Sequence, residues 1–362
     1  MSDLPPPTWN PGEHEALVCR AVRRETADVS TFVLSAPAPR RFAYRAGQFI
    51  TIEVTAGGAT YNRCYTLSST PTRPDLVSIT VKRVPGGPVS NWLHDNLRPG
   101  MPLPATGPMG EFVREAAPAP KLLYLTAGSG ITPLMSMARA TLDEAAEADI
   151  VFFHSARTPA DIVFRAELDY FGRLNRGVRT VAVCEADGGE AWSGPRGRLT
   201  LEILAEACPD FRERAAFTCG PNGYMAGVRA MLEGAGFPMA RYHQESFSFE
   251  TLAKDEPAVA EAVEAAEPIA APAPAAGFRV HFSKSGMTVD CAADDTVLSA
   301  ARKGGMRLPS SCRQGVCGTC KSKLVSGTVD MKAAGGIRPR EVSQGLVLLC
   351  CSRPTSDLVV DR

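Results

Sequence analysis

The chain has 362 residues, of which 44% are hydrophobic, and its 39 Lys and Arg are matched by 39 Asp and Glu. That length exceeds what one compact core accommodates and suits two or three domains. No run of eighteen or more apolar residues occurs, so no segment is expected to span a membrane.

The even total hides an uneven distribution. Residues 1–249 carry a net charge of −1, residues 250–277 a net of −5, and residues 278–362 a net of +6. A small basic domain suggests a polar docking surface. Nucleic acid is set aside as a partner because no aromatic-plus-basic stacking motif accompanies the charge. The Pro-rich start, Met1 to Gly12, lacks a basic segment followed by an apolar one and so argues against a secretory signal. Five of the eleven cysteines crowd between Cys312 and Cys351, which suits metal ligands in a reducing cytoplasm better than a disulfide scaffold.

In chain order, short alternating segments come first: Leu17–Arg24, Val29–Ser35, Phe49–Val54 and Val77–Val84. Separated by Gly and Pro, they predict a small antiparallel barrel over residues 13–117. One further strand carries RCYTLSS, Arg63 to Ser69. There an arginine can neutralise a flavin phosphate, Tyr65 can offer a flat face to the ring, and Thr66 can hydrogen-bond it. The half-exposed-strand alternative stands beside this until the next motif is added. That motif is GGPVSNWL, Gly86 to Leu93, a glycine turn entering a helix. Amides in this turn, around Gly87, can hold a pyrophosphate at the helix N-terminus.

Beyond Pro118, strands at Leu122–Thr126, Ile150–His154, Arg179–Cys184 and Ala216–Cys219 alternate with helices. The helices fall at Pro133–Leu142, Ala160–Leu174 and Pro221–Gly234. Alternation predicts a parallel sheet covered on both faces, over residues 118–249. AGSGITP follows the first of these strands directly after Thr126. Gly128 and Gly130 permit a tight turn and close approach by phosphate, and Pro133 supports the first turn of the next helix. A proline stands where a Rossmann motif has its third glycine. FTCGPNGYM places Cys219, Gly220 and Pro221 at the carboxyl end of a later strand, where open α/β sheets bind ligands. A buried small hydrophobe is the plain alternative for Cys219. His154 in HSART is expected to pack at a strand end, and Arg157 beside it either pairs with a 2′-phosphate or is a solvated loop residue.

Residues 250–277 are rich in Ala, Pro and Glu with no aromatic, and predict a tether with a short helix around Ala258–Ala266. The last domain, 278–362, mixes short strands with one helix around Val297–Lys303. It carries CRQGVCGTC, Cys312 to Cys320, and a distant cysteine in LLCCSRP. The spacing C-x4-C-x2-C with a far fourth thiol matches a plant-type [2Fe–2S] centre. Gly315 and Gly318 let the backbone wrap and aim amides at sulfur. Zinc is the alternative, but structural zinc uses two C-x2-C knuckles and only one is present. Cys350 and Cys351 are ambiguous as a pair; ferredoxin-like sequences place a proline four residues after the last ligand, and that resemblance implies, through Pro354, that Cys350 is the fourth partner of Cys312, Cys317 and Cys320. Cys351 and Cys291 are then bystanders.

Taken together, residues 14–249 resemble the ferredoxin–NADP reductase superfamily. With the ferredoxin-like tail, the chain is similar to reductase components of Rieske-type oxygenases, in the branch with the flavin domain first. Glycine betaine and stachydrine demethylase reductases and hybrid-cluster protein reductases share that order. The resemblance implies an antiparallel FAD-binding barrel, a parallel NAD(P)-binding α/β sheet and a β-grasp [2Fe–2S] domain. It implies that Arg63, Tyr65 and Thr66 hold FAD, that Val89 and Ser90 reach its pyrophosphate, and that Gly128, Gly130, Thr132 and Pro133 shape the nicotinamide site. Cys219 would lie beside the hydride path, and Glu245 and Phe247 in YHQESF match an acid and an aromatic near the flavin. A hydride from NADH, with NADPH as the alternative donor, would pass to FAD and leave one electron at a time through the cluster. The acceptor would be a Rieske-type oxygenase acting on a methylated amine, or another redox protein such as a hybrid-cluster protein. A redox-responsive binding module is the reading from a different class. The basic residues Arg307, Arg313, Lys321 and Lys323 would steer an acidic partner.

Overall fold

Apolar side chains at alternate positions pleat the front of the chain. Strands β1 (Glu15–Arg24), β2 (Val29–Ser35), β3 (Phe49–Ala56), β4 (Ala59–Thr66), β5 (Val77–Lys82) and β6 (Pro102–Met109) form one antiparallel sheet, ordered β4-β3-β6-β1-β2-β5. Its ends meet where Leu67 bridges Ile79 and the Ser68 N–H donates to Ser78 O at 2.8 Å, which closes the sheet into a barrel. The prolines of β6 hide it in the sequence. Pro102 and Pro104 point outward while Leu103 and Ala105 enter the core, so the strand keeps its period of two. Helix α1 (Pro88–Asn96) buries Val89 and Leu93 in the same core. Residues 6–9 belong here too: Trp9 is buried, and its N–H donates to Arg41 O at 2.9 Å.

The computed structural model describes residues 6–9, 15–116, 119–144, 149–174, 177–246, 277–306, 308, 310, 315, 318, 320–333, 337 and 339–362. Phe247, Arg307, Cys312, Arg313, Cys317 and the helix predicted at Ala258–Ala266 lie outside them.

The second sheet joins β7 (Lys121–Ala127), β8 (Asp149–Ala156), β9 (Val178–Cys184), β10 (Ala215–Gly220) and β11 (Tyr242–Ser246). All are parallel, in the order β11-β10-β7-β8-β9. The central strands are buried on both faces, as a sheet covered by helices requires. The covering helices are α2 (Thr132–Asp143), α3 (Arg165–Leu174), α4 (Leu201–Ala207) and α5 (Asn222–Gly234). The helix expected from Ala160 begins only at Arg165. Pro159 opens a separate 3₁₀ turn, and Phe164 adopts φ 58° so that its ring turns into the core. These two sheets belong to one compact unit.

Residues 277–362 belong to a second unit. Here β12 (Gly277–Phe282), β13 (Met287–Ala292), β14 (Lys321–Ser326), β16 (Leu346–Leu348) and β18 (Leu358–Asp361) make a mixed sheet ordered β13-β12-β18-β14-β16. β15 (Val329–Met331) pairs with β17 (Ser352–Pro354). Helix α6 (Val297–Lys303) packs Val297, Leu298, Ala300 and Ala301 into this core, and Thr296 caps it by accepting from Ser299 N–H at 3.2 Å. A second helix, α7 (Pro339–Ser343), is a single turn that the sequence pattern does not reveal. Gly277, assigned to the tether by composition, is the first residue of β12. Among the described residues no helix is long and apolar enough to cross a membrane.

Candidate functional site

In the parallel sheet, β8 and β10 lie on opposite sides of β7, so the strand order reverses at β7, and the carboxyl ends there are where open α/β sheets bind ligands. Strand register brings four residues into one row across that end: Glu245 beside Cys219, Cys219 beside Thr126, and Thr126 beside His154. Their separation in sequence spans almost the whole domain.

The turn after β7 is built for close approach. Gly128 sits at φ 53°, a left-handed conformation, and a Cβ on Gly130 would fall 2.5 Å from the Cys219 carbonyl oxygen. Gly130 therefore lets the turn lie directly on the end of β10 and on Gly220. Pro133 stands in the first turn of α2, and the Thr132 hydroxyl donates back to Ser129 O at 3.2 Å. Thr132 thus stiffens the turn through its side chain.

Thr126 is fully buried. Its hydroxyl donates to Phe153 O at 3.0 Å and meets His154 Nδ1 at 2.9 Å. With the hydroxyl proton spent on Phe153, Nδ1 carries the imidazole proton and Nε2 is a bare acceptor, without a hydrogen bond among the described residues. Burial pushes the His154 pKa down to about 3, so the ring is neutral. It packs at the strand end as its sequence context suggests.

The barrel contributes the other side. On β4, Arg63 is buried, donates to Asn62 O at 2.8 Å and lies over the Tyr61 ring. Tyr65 is half-buried, and burial raises its phenol pKa, so it is un-ionised. The Thr66 hydroxyl is buried and makes no hydrogen bond of regular geometry, although it lies close enough to Glu245 to lower that carboxyl's pKa. Burial, aided by Cys64, outweighs that effect and pushes Glu245 up to about 8. Burial and the nearby Glu245 also push the Cys219 thiol up, so it is not a ready thiolate.

At α1, Pro88 has no N–H and the Asn91 N–H closes on Gly87 O at 3.1 Å. The N–H groups of Val89 and Ser90 remain as first-turn donors. Their side chains do not reach outward: Val89 is buried, and the Ser90 hydroxyl is held between Val84 N–H at 3.1 Å and Gly87 O at 3.3 Å. Any contact from these two residues is through the main chain. Arg157 is exposed but engaged, pairing with Asp161 at 3.0 Å and Asp28 at 3.5 Å. Pro221 caps α5 directly after Gly220.

A phosphate-bearing flavin fits these features. The orphaned Thr66 hydroxyl, the β4 arginine and the open helix turn after Gly87 suit ring, phosphate and pyrophosphate in that order.

In the second unit, Cys320 and Cys350 are buried side by side. Cys350 N–H donates to Cys320 Sγ at 3.4 Å, and Gly315 N–H donates to Cys350 Sγ at 3.2 Å. Gly315 and Gly318 adopt φ 72° and 74°, as the wrapped segment demands. Amides aimed at thiol sulfurs suit an anionic cluster. The Cys351 thiol turns away, to Leu348 O at 3.6 Å. Cys312 and Cys317 lie outside the described residues. Lys321 is not a free surface charge: it is 21% exposed and pairs with Glu341 at 2.6 Å.

Sequence reasoning passed over Arg139 and Ser136 on α2, which bind the carbonyls of Ser68 and Ser69 just beyond the RCYT strand. The available signal was a lone arginine in the apolar run Met135–Ala140.

Comparison with known proteins agrees with this layout. Residues 18–113 match the family model of the oxidoreductase FAD-binding domain, residues 124–230 the oxidoreductase NAD-binding domain, and residues 280–355 the 2Fe-2S iron-sulfur cluster binding domain. The chain is 44% identical over 359 residues to the glycine betaine monooxygenase reductase subunit of Pseudomonas aeruginosa, covering 98% of this chain and 96% of that one. It is 38% identical over 351 residues to the stachydrine N-demethylase reductase subunit of Rhizobium meliloti, covering 96% of each. Among solved structures, phthalate dioxygenase reductase superposes with a TM-score of 0.57 at 26% identity, over 96% of this chain and 98% of that one.

Proposed function

We propose that this chain, which belongs to the reductase components that pass electrons from a nicotinamide through FAD to a [2Fe–2S] centre, draws on NADH and serves a Rieske-type oxygenase that demethylates a methylated amine. FAD, when bound, would supply a hydride acceptor and the [2Fe–2S] cluster a one-electron carrier, so the pair would couple a two-electron donor to one-electron acceptors.

One observation carries the reading: Thr66 of the barrel faces Glu245, and Glu245 stands in register with Cys219 and Thr126 at the sheet's open end. The strand suited to the flavin and the turn suited to the nicotinamide thus converge. Residues 13–117 hold the flavin, 118–249 the nicotinamide, and 277–362 the cluster, with 250–276 as tether. Arg63 and the Val89 and Ser90 amides bind the flavin phosphates, and Tyr65 and Thr66 orient its ring. Gly87 frees the helix turn for that contact. Gly128, Gly130, Thr132, Pro133, Gly220 and Pro221 shape the nicotinamide crevice, with Cys219 as its small, neutral floor and Thr126 beneath. Glu245 is protonated below about pH 8 and holds a proton at the ring's edge. Phe247, two residues on in the sequence, matches the aromatic that the resemblance implies near the flavin. Cys312, Cys317, Cys320 and Cys350 hold the cluster.

NADH over NADPH follows from Arg157. Its guanidinium is already matched by Asp161 and Asp28, and those carboxylates oppose a 2′-phosphate. A higher kcat/KM for NADH checks this, and a strong NADPH preference overturns it.

The acceptor is tested by coupled turnover with a purified betaine-demethylating oxygenase. With the methylated amine and dioxygen present, formaldehyde should appear only when NADH, oxygenase and this chain are together. If that oxygenase stays idle while a hybrid-cluster protein is reduced, the acceptor assignment falls.

A further inference from the structure

Residues three or four apart share one face of a helix. On α2, Ser136, Arg139 and Asp143 form such a row, and all three grip the segment that leaves β4. The Ser136 hydroxyl donates to Ser69 O at 2.5 Å. Arg139 donates through Nη1 to Ser68 O. Its Nε reaches Glu167 of α3 at 2.8 Å, Nη2 takes the other Glu167 oxygen, and the guanidinium stacks 4.7 Å from the Phe164 ring centre. Asp143 accepts from Thr72 Oγ1 and from Arg73 Nη2, the latter at 2.6 Å.

The gripped segment is equally well tied to the barrel. The Ser68 and Thr80 hydroxyls meet at 2.8 Å, Thr80 and Thr31 at 2.8 Å, and Thr31 donates to Glu25 at 2.6 Å. Ser69 Oγ meets Tyr44 OH at 2.8 Å and accepts from Ser78 N–H at 3.0 Å. Ser68 is therefore a fixed mount two residues beyond Thr66. Arg139 stands two helical turns, about 10.5 Å, from Thr132 at the head of the Gly-rich turn.

We propose that this row is a strut that sets the spacing between the flavin strand and the nicotinamide turn, with Arg139 as its positioning residue. The proposal rests on the site assignment above. Arg139 touches neither cofactor. It is 11% exposed and binds a carbonyl on one element and a carboxylate on another, with an aromatic face beneath. A lysine cannot make that fork of contacts. Slackening the strut leaves both half-sites intact and misaligns them, which affects the hydride step more than binding.

The test uses the full chain with its cofactors. In Arg139→Ala, the limiting rate of flavin bleaching by NADH falls by about 10- to 100-fold, the loss that a misplacement near 1 Å produces. Half-saturation by NADH changes by less than about threefold, because binding is not what the strut supplies. FAD content is retained. Hydrogen exchange of the amides at 67–73 rises, and it does so equally in protein stripped of flavin. Arg139→Lys keeps the charge but not the fork, so it folds and shows an intermediate loss of rate.

Wild-type bleaching in folded, FAD-loaded Arg139→Ala would overturn the proposal, as would a loss of rate that only tracks lost FAD. Should Arg139→Ala fail to fold, Arg139→Lys decides, and a wild-type rate or a second failure to fold overturns it. A wild-type chain that NADH does not bleach sinks the site assignment itself, and the strut with it.

Discussion

The two ends of the parallel sheet treat their polar groups in opposite ways. At the amino end, the Arg214 side chain is 1% exposed and every nitrogen is engaged. Nε and Nη2 bind Asp210 at 2.9 and 3.0 Å, Nη2 binds the Asp149 carboxylate at 2.7 Å, and Nη1 binds the carbonyls of Leu122 and Asp149. These bonds hold the Asp210 carboxyl well below its usual range. At the carboxyl end, His154 Nε2 and Glu245 Oε2, with Thr66 Oγ1 of the barrel beside Glu245, lack hydrogen bonds of regular geometry among the described residues. Buried polar atoms are ordinarily satisfied, so the Arg214 cluster reads as scaffold and the second group as candidate ligand contacts. The contrast recurs in the [2Fe–2S] unit: the Cys350 thiol receives an amide, whereas the Cys351 thiol spends itself on a carbonyl. It recurs again at the surface, between Lys321, matched by Glu341, and Lys323 and Lys332, which are exposed and have no ion pair among the described residues.

The neighbouring cysteines offer the largest effect. Cys350→Ser should abolish or grossly alter the [2Fe–2S] absorption, while Cys351→Ser leaves it intact and NADH still bleaches the flavin in both. The reverse pattern would show that Pro354 sets the wrong register.

Arg214 comes next. Arg214→Met removes the donor to two carbonyls and to Asp149 and Asp210; Asp149 is half-exposed and Asp210 keeps Lys121 at 3.0 Å, so stability should fall by about 1–3 kcal/mol in urea unfolding. Flavin bleaching by the folded fraction should be unchanged. Slower bleaching there would mean that the amino end also shapes the site.

Glu245 gives a subtler, pH-dependent effect. A carboxyl raised to about 8 binds its proton in the folded chain at pH values where the unfolded chain has released it. Its contribution to stability is therefore intact below the ordinary carboxyl range, declines as pH rises toward 8, and is level above that. Glu245→Gln cannot ionise. In flavin-free protein its Tm should match wild type near pH 4.5 and exceed it increasingly up to about pH 8. A pH-independent difference would place Glu245 in water.

The surface lysines should matter least. Reversing Lys323 and Lys332 to Glu should slow acceptor reduction about two- to fivefold at low salt, with the difference fading as the Debye length shrinks to about 8 Å. Lys321→Gln should have the smaller effect, since its charge is already neutralised by Glu341. Equal effects would remove the distinction between matched and unmatched lysines.

Much of the fold and part of the site were legible in residues close together in the chain. Cys312 to Cys320 must converge on one cluster over nine positions, so their spacing alone carries the chemistry. The glycines at 128 and 130 mark a turn because backbone geometry is decided within a few residues. Strand β6 was obscured by prolines that alternate with its buried side chains, and the break before α3 by the left-handed Phe164. Neither exception follows from local propensity, because each is enforced by the core it packs into.

By itself, then, the sequence determined the three kinds of cofactor chemistry, the order in which they occur and most of the elements that carry them. Tertiary structure alone decided the row of Glu245, Cys219, Thr126 and His154, the turning inward of the Ser90 hydroxyl, the pairing of Lys321 with Glu341, and the grip of Arg139 on Ser68. Most of these contacts join residues tens of positions apart. Parallel register and helix docking bring them together, and those follow from how whole apolar faces bury against one another and not from any short run of residues.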